Sequence, residues 1–375
     1  GAGLLAVTLK SDGRKPAETS VSFSTEQTRF QIDGAFSLNG ADFAQGEGTM
    51  ELESENFEPY LAMNGLVPPQ FGTSLPTKLT GKVSVAANHI ALSGLDGHVA
   101  DNPVSGQLSL VLGDGAPKID GTLKLGQVEM PWLTEAMFGP IIDPVSGDLP
   151  DAALGKPLAG NSEITLQLSA DAFDPGLLGI VTEANARLAY RSGTLELSDA
   201  KGKWLGGTLS GGRMTLANGG GDGILRFGFD LAGADVAALA WRRDGRAIAA
   251  GRFDLTLSAE STAPSLTGLR SGLGGSGIAR FTGLAVDGLN LDVMGPLVTA
   301  ADMMQGEITT AKIAPILETL VVNGRTDLGT VSLPFQIADG EFRAQSVMFD
   351  TPKGQISANG RLRADTGVLN ATLEL

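Results

Sequence analysis

Apolar and polar residues alternate along most of the chain, usually in short runs that begin with a glycine. These runs occupy residues 48–52, 81–85, 106–110, 121–125, 193–197 and 251–257. Successive side chains of a β-strand point to opposite faces, so each run places its apolar residues on one face of a sheet. We interpret the leading glycines as supplying the positive φ or the tight bend that turns one strand into the next. The pattern predicts an antiparallel sheet with one apolar and one polar face, because strands buried on both faces would be continuously apolar.

A longer repeat is superimposed on this alternation. Residues 90–133 and 195–239 have the same order of predicted strands and turns. The two copies are offset by 105 residues where Ser105 matches Ser210, and by 106 residues where Leu133 matches Leu239. Weaker copies lie near residues 16–61 and 354–375. Repeats of this size indicate an extended architecture in which each copy mainly contacts its neighbours.

Few segments have helical patterns. We predict short helices over residues 129–138, 235–241, 296–304 and 311–321, with acidic caps at Glu129 and Asp235. A segment rich in proline and glycine, residues 143–160, is predicted to be a loop between an N-terminal region, residues 1–142, and a C-terminal region, residues 161–375. The predicted fold class is mainly β: a long, curved, repetitive antiparallel sheet that forms an open groove, with a few short helices.

Composition narrows the function further. The 375 residues include 42 acidic and 27 basic side chains, a net charge of −15, which disfavours nucleic acid and electrostatic docking onto anionic membranes. Hydrophobic residues make up 42%, enough for a large core, and there is no cysteine. No apolar run is long enough to span a bilayer. Because the chain begins Gly1-Ala2-Gly3 without a methionine, we expect any membrane anchor or signal to lie outside the printed sequence.

The residues that could carry chemistry are sparse. His89 and His98 could approach each other across a hairpin. Because the chain has no cysteine, a metal site would need carboxylates beside these histidines, and no metal-ligand motif surrounds them. Residues 272–277 match G-x-G-x-x-G, yet strand-like sequence follows where a nucleotide site needs a helix. The glycine run at 219–223 occurs once, whereas a calcium-binding β-roll needs a repeat. We therefore predict no enzyme, no catalytic residue, no cofactor and no metal site.

From about residue 173 to the end, the sequence resembles the AsmA-like C-terminal region of the AsmA family. The resemblance rests on the order of loose motifs at residues 193–197, 205–211, 234–239, 269–277, 286–291, 324–328, 335–340 and 354–360. It extends more weakly to about residue 16. One departure is Leu289-Asn290, where the family often has an acidic residue after the turn glycine.

This resemblance implies a protein of the Gram-negative envelope, anchored in the inner membrane and extending into the periplasm. Family members form a long, curved sheet with an apolar groove, similar to bridge-like lipid transfer proteins. They are linked to phospholipid movement and lipid balance of the outer membrane. The implied partners are phospholipids or other acyl-chain lipids, together with envelope proteins.

The alternation identifies the residues that would line such a groove. They are Leu108, Leu110, Leu123, Leu125, Leu195, Leu197, Met214, Leu216, Phe253, Leu255 and Leu257. An acyl chain would suit this face because the predicted helices are too few to cover it. Alternatively, the same residues pack against each other in a closed sandwich, and the protein is a structural scaffold for outer-membrane protein assembly that carries no lipid.

Overall fold

The computed structural model describes most of the chain. The described residues are 4–9, 16–38, 41, 43–63, 68–69, 72–113, 115–143, 146–176, 178–290, 292–304, 306–351, 354–363 and 369–374. The predicted class is confirmed: the protein is mainly β, 58% strand and 14% helix, with long antiparallel sheet and a few short helices. The chain divides into two compact units. The first comprises residues 1–202, 210–227 and 261–270, and the second residues 203–209, 228–260 and 271–375.

Ten strands pair in chain order within the first unit. They are β1 (Leu4–Leu9), β2 (Ala17–Ser24), β3 (Thr28–Phe36), β4 (Gly46–Ser54), β5 (Thr77–Ala86), β6 (His89–Val99), β7 (Asn102–Val111), β8 (Lys118–Glu129), β9 (Glu163–Asp174) and β10 (Val181–Arg191). Each of β1 to β7 is antiparallel to the next strand, and β9 is antiparallel to β10. The alternating pattern therefore becomes a meander of neighbouring strands.

One pairing departs from the antiparallel expectation. Strands β8 and β9 are parallel, with Ile119 opposite Ile164 and Leu123 opposite Leu168. Parallel neighbours need a crossover that returns the chain over one face of the sheet. Here the crossover contains helix α2 (Met130–Phe138) and the segment up to residue 162. It determines where the sheet is covered.

Three further strands follow the meander: β11 (Thr194–Trp204), β12 (Gly207–Ala217) and β13 (Gly223–Asp235). A two-stranded hairpin, β14 (Arg242–Arg243) and β15 (Arg246–Ala247), comes next. The remaining strands are β16 (Ala249–Ala263), β17 (Gly274–Asp287), β18 (Arg325–Ala338), β19 (Glu341–Thr351), β20 (Gly354–Arg363) and β21 (Leu369–Glu374). From β16 to β21 each strand is antiparallel to the next.

All four predicted helical segments form a helix, with ends that differ from the predicted ones by at most three residues. These are α2, a 3-10 turn at Val236–Ala238, α4 (Met294–Asp302) and α5 (Thr310–Val322). The Asp235 cap is confirmed, because its carboxylate accepts a hydrogen bond from the Ala237 N–H at 2.9 Å, whereas Glu129 makes no such bond. Two helices were not predicted: α1 (Glu58–Met63) and α3 (Leu266–Ser271).

The long repeat is visible in the elements. Three strands followed by a helix occur as β6, β7, β8 and α2, and again as β11, β12, β13 and the 3-10 turn. Strands β2, β3, β4 and helix α1 repeat the order in the predicted N-terminal copy. Because Leu110 and Leu216 each come one residue before the end of the middle strand, they are equivalent positions in two copies.

The prediction that the leading glycines turn one strand into the next is wrong for most of them, although Gly106 at +144° and Gly251 at +134° do have a positive φ. Gly193, with φ +78°, lies in the turn between β10 and β11. In contrast, Gly81, Gly106 and Gly121 lie inside strands. Their role is therefore in the sheet itself.

Candidate functional site: an apolar sheet face

Strand register joins the apolar residues of the first unit into continuous rows. Directly opposed residues share a face of the sheet. One row contains Phe23, Phe30, Leu52, Leu79, Gly97, Val104, Leu125, Ala170 and Ala184. Another contains Val83, Leu92, Leu108, Gly121, Leu166 and Leu188. One apolar face thus runs across β2 to β10.

Glycines on this face allow the backbones of neighbouring strands to approach closely. A Cβ atom on Gly34, Gly106 or Gly121 would overlap the backbone carbonyl oxygen of the adjacent strand. The backbone of the neighbouring strand therefore lies closer to these glycines than a side chain would allow.

Part of the apolar face is closed by a hydrophobic core. The core cluster consists of Met137, Phe138, Leu188, Tyr190, Leu195, Leu216, Ala263, Leu266 and Leu269. Two of the predicted groove residues, Leu195 and Leu216, are buried members of it, and Leu197 and Met214 pack against it. These four residues face α2 and α3 and the segment that precedes β9.

Polar side chains form hydrogen bonds to the cover, which is the segment from α2 to β9 together with α3. The Asn218 side-chain amide donates to the carbonyl oxygens of Met137 at 2.8 Å and Gly155 at 2.5 Å. The Tyr190 hydroxyl donates to the Gly160 carbonyl at 2.7 Å. Burial raises the pKa of Tyr190 above its ordinary value of 10.0, and a hydrogen bond from the Gly193 backbone opposes the shift. The predicted loop, where described, is a fixed part of the first unit.

Strands β5 to β8 lie outside this core cluster in the part of the chain that the structure describes. The core cluster and the residues packed against it include no residue of β2 to β8. Leu108, Leu110, Leu123 and Leu125 share the apolar face and are only partly buried. The first unit therefore combines a closed segment of the face at β9 to β12 with leucines of β7 and β8 that are only partly buried, whereas Val83 of β5 and Leu95 of β6 are buried.

The second unit has an apolar face of its own. Phe253 and Leu257 are buried and Leu255 is partly buried, with Phe281 and Gly277 opposite the first two. The rings of Phe253 and Phe281 are 5.9 Å apart. A Cβ on Gly277 would overlap the ring of Phe335, so glycine again allows a close approach on this face.

The two histidines do not meet. They lie at opposite ends of β6, which at about 3.3 Å per residue separates them by roughly 30 Å, so the expectation that they could approach across a hairpin is wrong. The His89 ring nitrogen and the Ser109 hydroxyl are hydrogen-bonded at 2.7 Å. Among the described residues, no group of three or more His, Asp or Glu could hold a metal ion.

The other sequence motifs have structural explanations. Gly274 to Gly277 belong to strand β17 instead of preceding a helix, and the glycine run at 219–223 connects β12 to β13. A depression of about 480 Å³ at the ends of β2 to β6 is lined by polar residues that include Glu53, Lys78 and His98. Lys78 pairs with Glu53 at 3.2 Å, and both are exposed, so the pair adds little stability. This depression does not suit an acyl chain.

Sequence reasoning missed the residues that close the apolar face. The sequence pattern did not place Leu266 and Leu269 in a helix. Nothing in it indicated that the Asn218 side chain would bind the cover. Leu266 and Leu269 have helical spacing, but the helix is only six residues long and too short for a periodic pattern. Asn218 binds the Met137 carbonyl 81 residues away, a contact that no local pattern contains.

No family model, curated protein or solved structure matches the chain. The resemblance to the AsmA family therefore remains a prediction. Within the part of the chain that the structure describes, none of the helices has the length and apolar character needed to span a membrane. The fold and the site define the protein only as a mainly β protein with an apolar sheet face that is covered in part.

Proposed function

We propose that the chain binds the acyl chains of phospholipids on its apolar sheet face and carries no catalytic site. As the AsmA resemblance implies, it would do so in the periplasm of a Gram-negative bacterium, as part of an inner-membrane-anchored protein that moves phospholipids between the two membranes. The observation that carries the proposal is the row of leucines on one face of β7 and β8, which are only partly buried and lie outside the core cluster.

The chemistry of this face suits a lipid tail better than a polar substrate. Removing each methylene of an acyl chain from water gains about 0.8 kcal/mol, and the attraction has no direction. A row of leucines such as Leu108 and Leu123 therefore holds a chain without fixing its position. Such a surface allows a lipid to slide along the face, as transport requires.

The closed segment limits where lipid can bind. Leu195, Leu197, Met214 and Leu216 contact the cover formed around α2 and α3. We therefore assign lipid contact in the first unit to Leu108, Leu110, Leu123 and Leu125, and in the second unit to the face around Leu255.

The proposal is tested with the double variant Leu108→Gln/Leu123→Gln. Native mass spectrometry of detergent-free protein should show co-purifying phospholipid in the wild type and a loss of it in the variant. A fluorescent phospholipid should bind the wild type and bind the variant at least about tenfold more weakly, because two amides enter the acyl-chain site.

The matched control is Thr122→Gln, which adds an amide to the exposed polar face of β8, the strand that contains Leu123. It should bind lipid like the wild type. Wild-type protein that is free of lipid and takes up none would refute the proposal and favour a structural scaffold. Equal loss in the control and the double variant would show that the apolar face is not the site.

A further inference from the structure

We propose that one end of the second unit docks onto the surface of a phospholipid bilayer, through an arginine- and tryptophan-bearing hairpin and a neighbouring pair of helices. This docking end consists of the described residues 239–248, 288–290, 292–304 and 306–324. It is a different surface from the acyl-chain site, so the two proposals can fail independently.

The helix pair in this docking end has no core of its own. Neither α4 nor α5 has a buried residue, whereas α2 buries Leu133, Met137 and Phe138. Apolar side chains that are more than half exposed include Met294 at 65% and Met303 at 79%. Val298 follows Met294 by four residues and is exposed too, so both lie on one side of α4. Helix α4 and the residue after it therefore present an apolar surface to the surroundings, whereas the large apolar side chains of α5 other than Val322 are partly buried.

The hairpin adds a second, chemically different set of exposed groups. Trp241 is 64% exposed and is followed by Arg242, Arg243 and Arg246, all exposed. Among the described residues, no carboxylate forms an ion pair with any of these three arginines. Tryptophan favours the boundary between headgroups and acyl chains, and guanidinium groups bind phosphate through paired hydrogen bonds. Both groups therefore match the headgroup layer of a phospholipid bilayer.

Backbone contacts place the hairpin and the helix pair together. The Asp287 N–H donates to the Ile248 carbonyl at 2.8 Å, which joins the end of the hairpin to the end of β17. The Arg243 guanidinium lies against Gly288, where the chain leaves β17 toward α4. The Asn290 N–H donates to the Val321 carbonyl at 2.7 Å, which brings the end of α5 to the same place. Trp241 and the exposed residues of the helix pair thus belong to one end of the sheet.

The charge of this docking end indicates how it would bind. The hairpin is basic, but Asp302, Glu307 and Glu318 make the helix pair acidic. A net attraction to anionic lipid is therefore not expected, in agreement with the acidic chain as a whole. We expect apolar side chains to insert into the bilayer while the arginines bind lipid phosphates. Because zwitterionic and anionic phospholipids both carry a phosphate and acyl chains, this mode of binding suits both kinds of bilayer.

Vesicle flotation of the full chain tests the proposal. The wild type should float with phosphatidylcholine vesicles, and addition of phosphatidylglycerol should change binding by less than about threefold. Trp241→Ala and Met294→Ser/Val298→Ser should each weaken binding by roughly tenfold, because each removes a large inserted surface. Circular dichroism checks that the variants fold.

Trp132→Ala is the matched control, because Trp132 is 42% exposed but belongs to the first unit. It should float like the wild type. The double variant Leu108→Gln/Leu123→Gln should also float with vesicles, although it no longer binds phospholipid in its acyl-chain site. This result would separate membrane docking from binding at the acyl-chain site. Absence of wild-type flotation, an equal effect of Trp132→Ala, or a dimer that Trp241→Ala dissociates would each overturn the docking proposal.

Discussion

Replacing the equivalent leucines Leu216 and Leu110 by alanine tests whether the apolar face is closed at β12 and accessible at β7. Both residues occupy the same position in two copies of the repeat. Leu216 is 1% exposed and lies in the core cluster, whereas Leu110 is partly buried and outside it. The same substitution therefore probes two different environments.

The expected magnitudes follow from burial. Leucine to alanine removes three carbons, about 2.4 kcal/mol of transfer free energy when the side chain is fully buried. At Leu216 the surrounding helices cannot fill the space, so a cavity raises the cost to about 3–4 kcal/mol. At Leu110 burial is partial and no closed cavity forms, so we expect about 1 kcal/mol. The two variants should differ in their free energy of unfolding by about 2–3 kcal/mol.

Urea unfolding followed by circular dichroism measures this difference. Hydrogen exchange of peptides from α2, β7 and β12 shows where protection is lost, since a chain of two units need not unfold in one step. If Leu110→Ala costs as much as Leu216→Ala, the face at β7 is a dry core and the acyl-chain site does not exist. If Leu216→Ala costs less than about 1 kcal/mol, the core cluster does not pack as the structure shows.

Three further predictions concern the sheet and its cover. Because burial raises the pKa of Tyr190, that residue contributes stability that is present below pH 10.0 and lost as the pH rises above it. Tyr190→Phe should lower the free energy of unfolding near neutral pH by about 1 kcal/mol and remove this alkaline loss. Gly121→Ala places a Cβ on a neighbouring backbone carbonyl and should cost about 2–4 kcal/mol in thermal or urea unfolding. Ser261→Ala should stabilise the protein by about 1 kcal/mol, because the buried Ser261 hydroxyl has no hydrogen-bond partner among the described residues.

Each of these predictions has its own control. The pH dependence is measured by urea unfolding from neutral pH to above pH 10.0. If Tyr190→Phe loses as much stability at high pH as the wild type, other groups cause that loss. Gly219→Ala adds a Cβ where no atom lies within 4 Å, and it should change stability by less than about 0.5 kcal/mol. Equal costs at Gly121 and Gly219 would show that the close approach of the neighbouring strand at Gly121 does not require a glycine. A destabilised Ser261→Ala would show that the hydroxyl does form a hydrogen bond.

Much of the architecture could be predicted because its signals are local. Alternation with a period of two follows from strand geometry, so the residues of each face, such as Leu108 and Leu110, were identifiable from their spacing alone. The repeat was visible for the same reason, since copies of a pattern recur at a fixed offset. The helix at Ile313 and Leu317 was predictable because its apolar residues have the period of a helix.

What covers the apolar face was decided by tertiary structure. The parallel pairing of β8 and β9 sends the chain back across that face, and no residue in either strand distinguishes a parallel from an antiparallel neighbour. The glycine pattern was likewise ambiguous, because Gly121 permits both a turn and a close approach between strands. The amino-acid sequence alone determined that one face of this protein is apolar. Contacts between distant residues, such as Asn218 with Met137, determined which part of that face is buried and which part stays accessible.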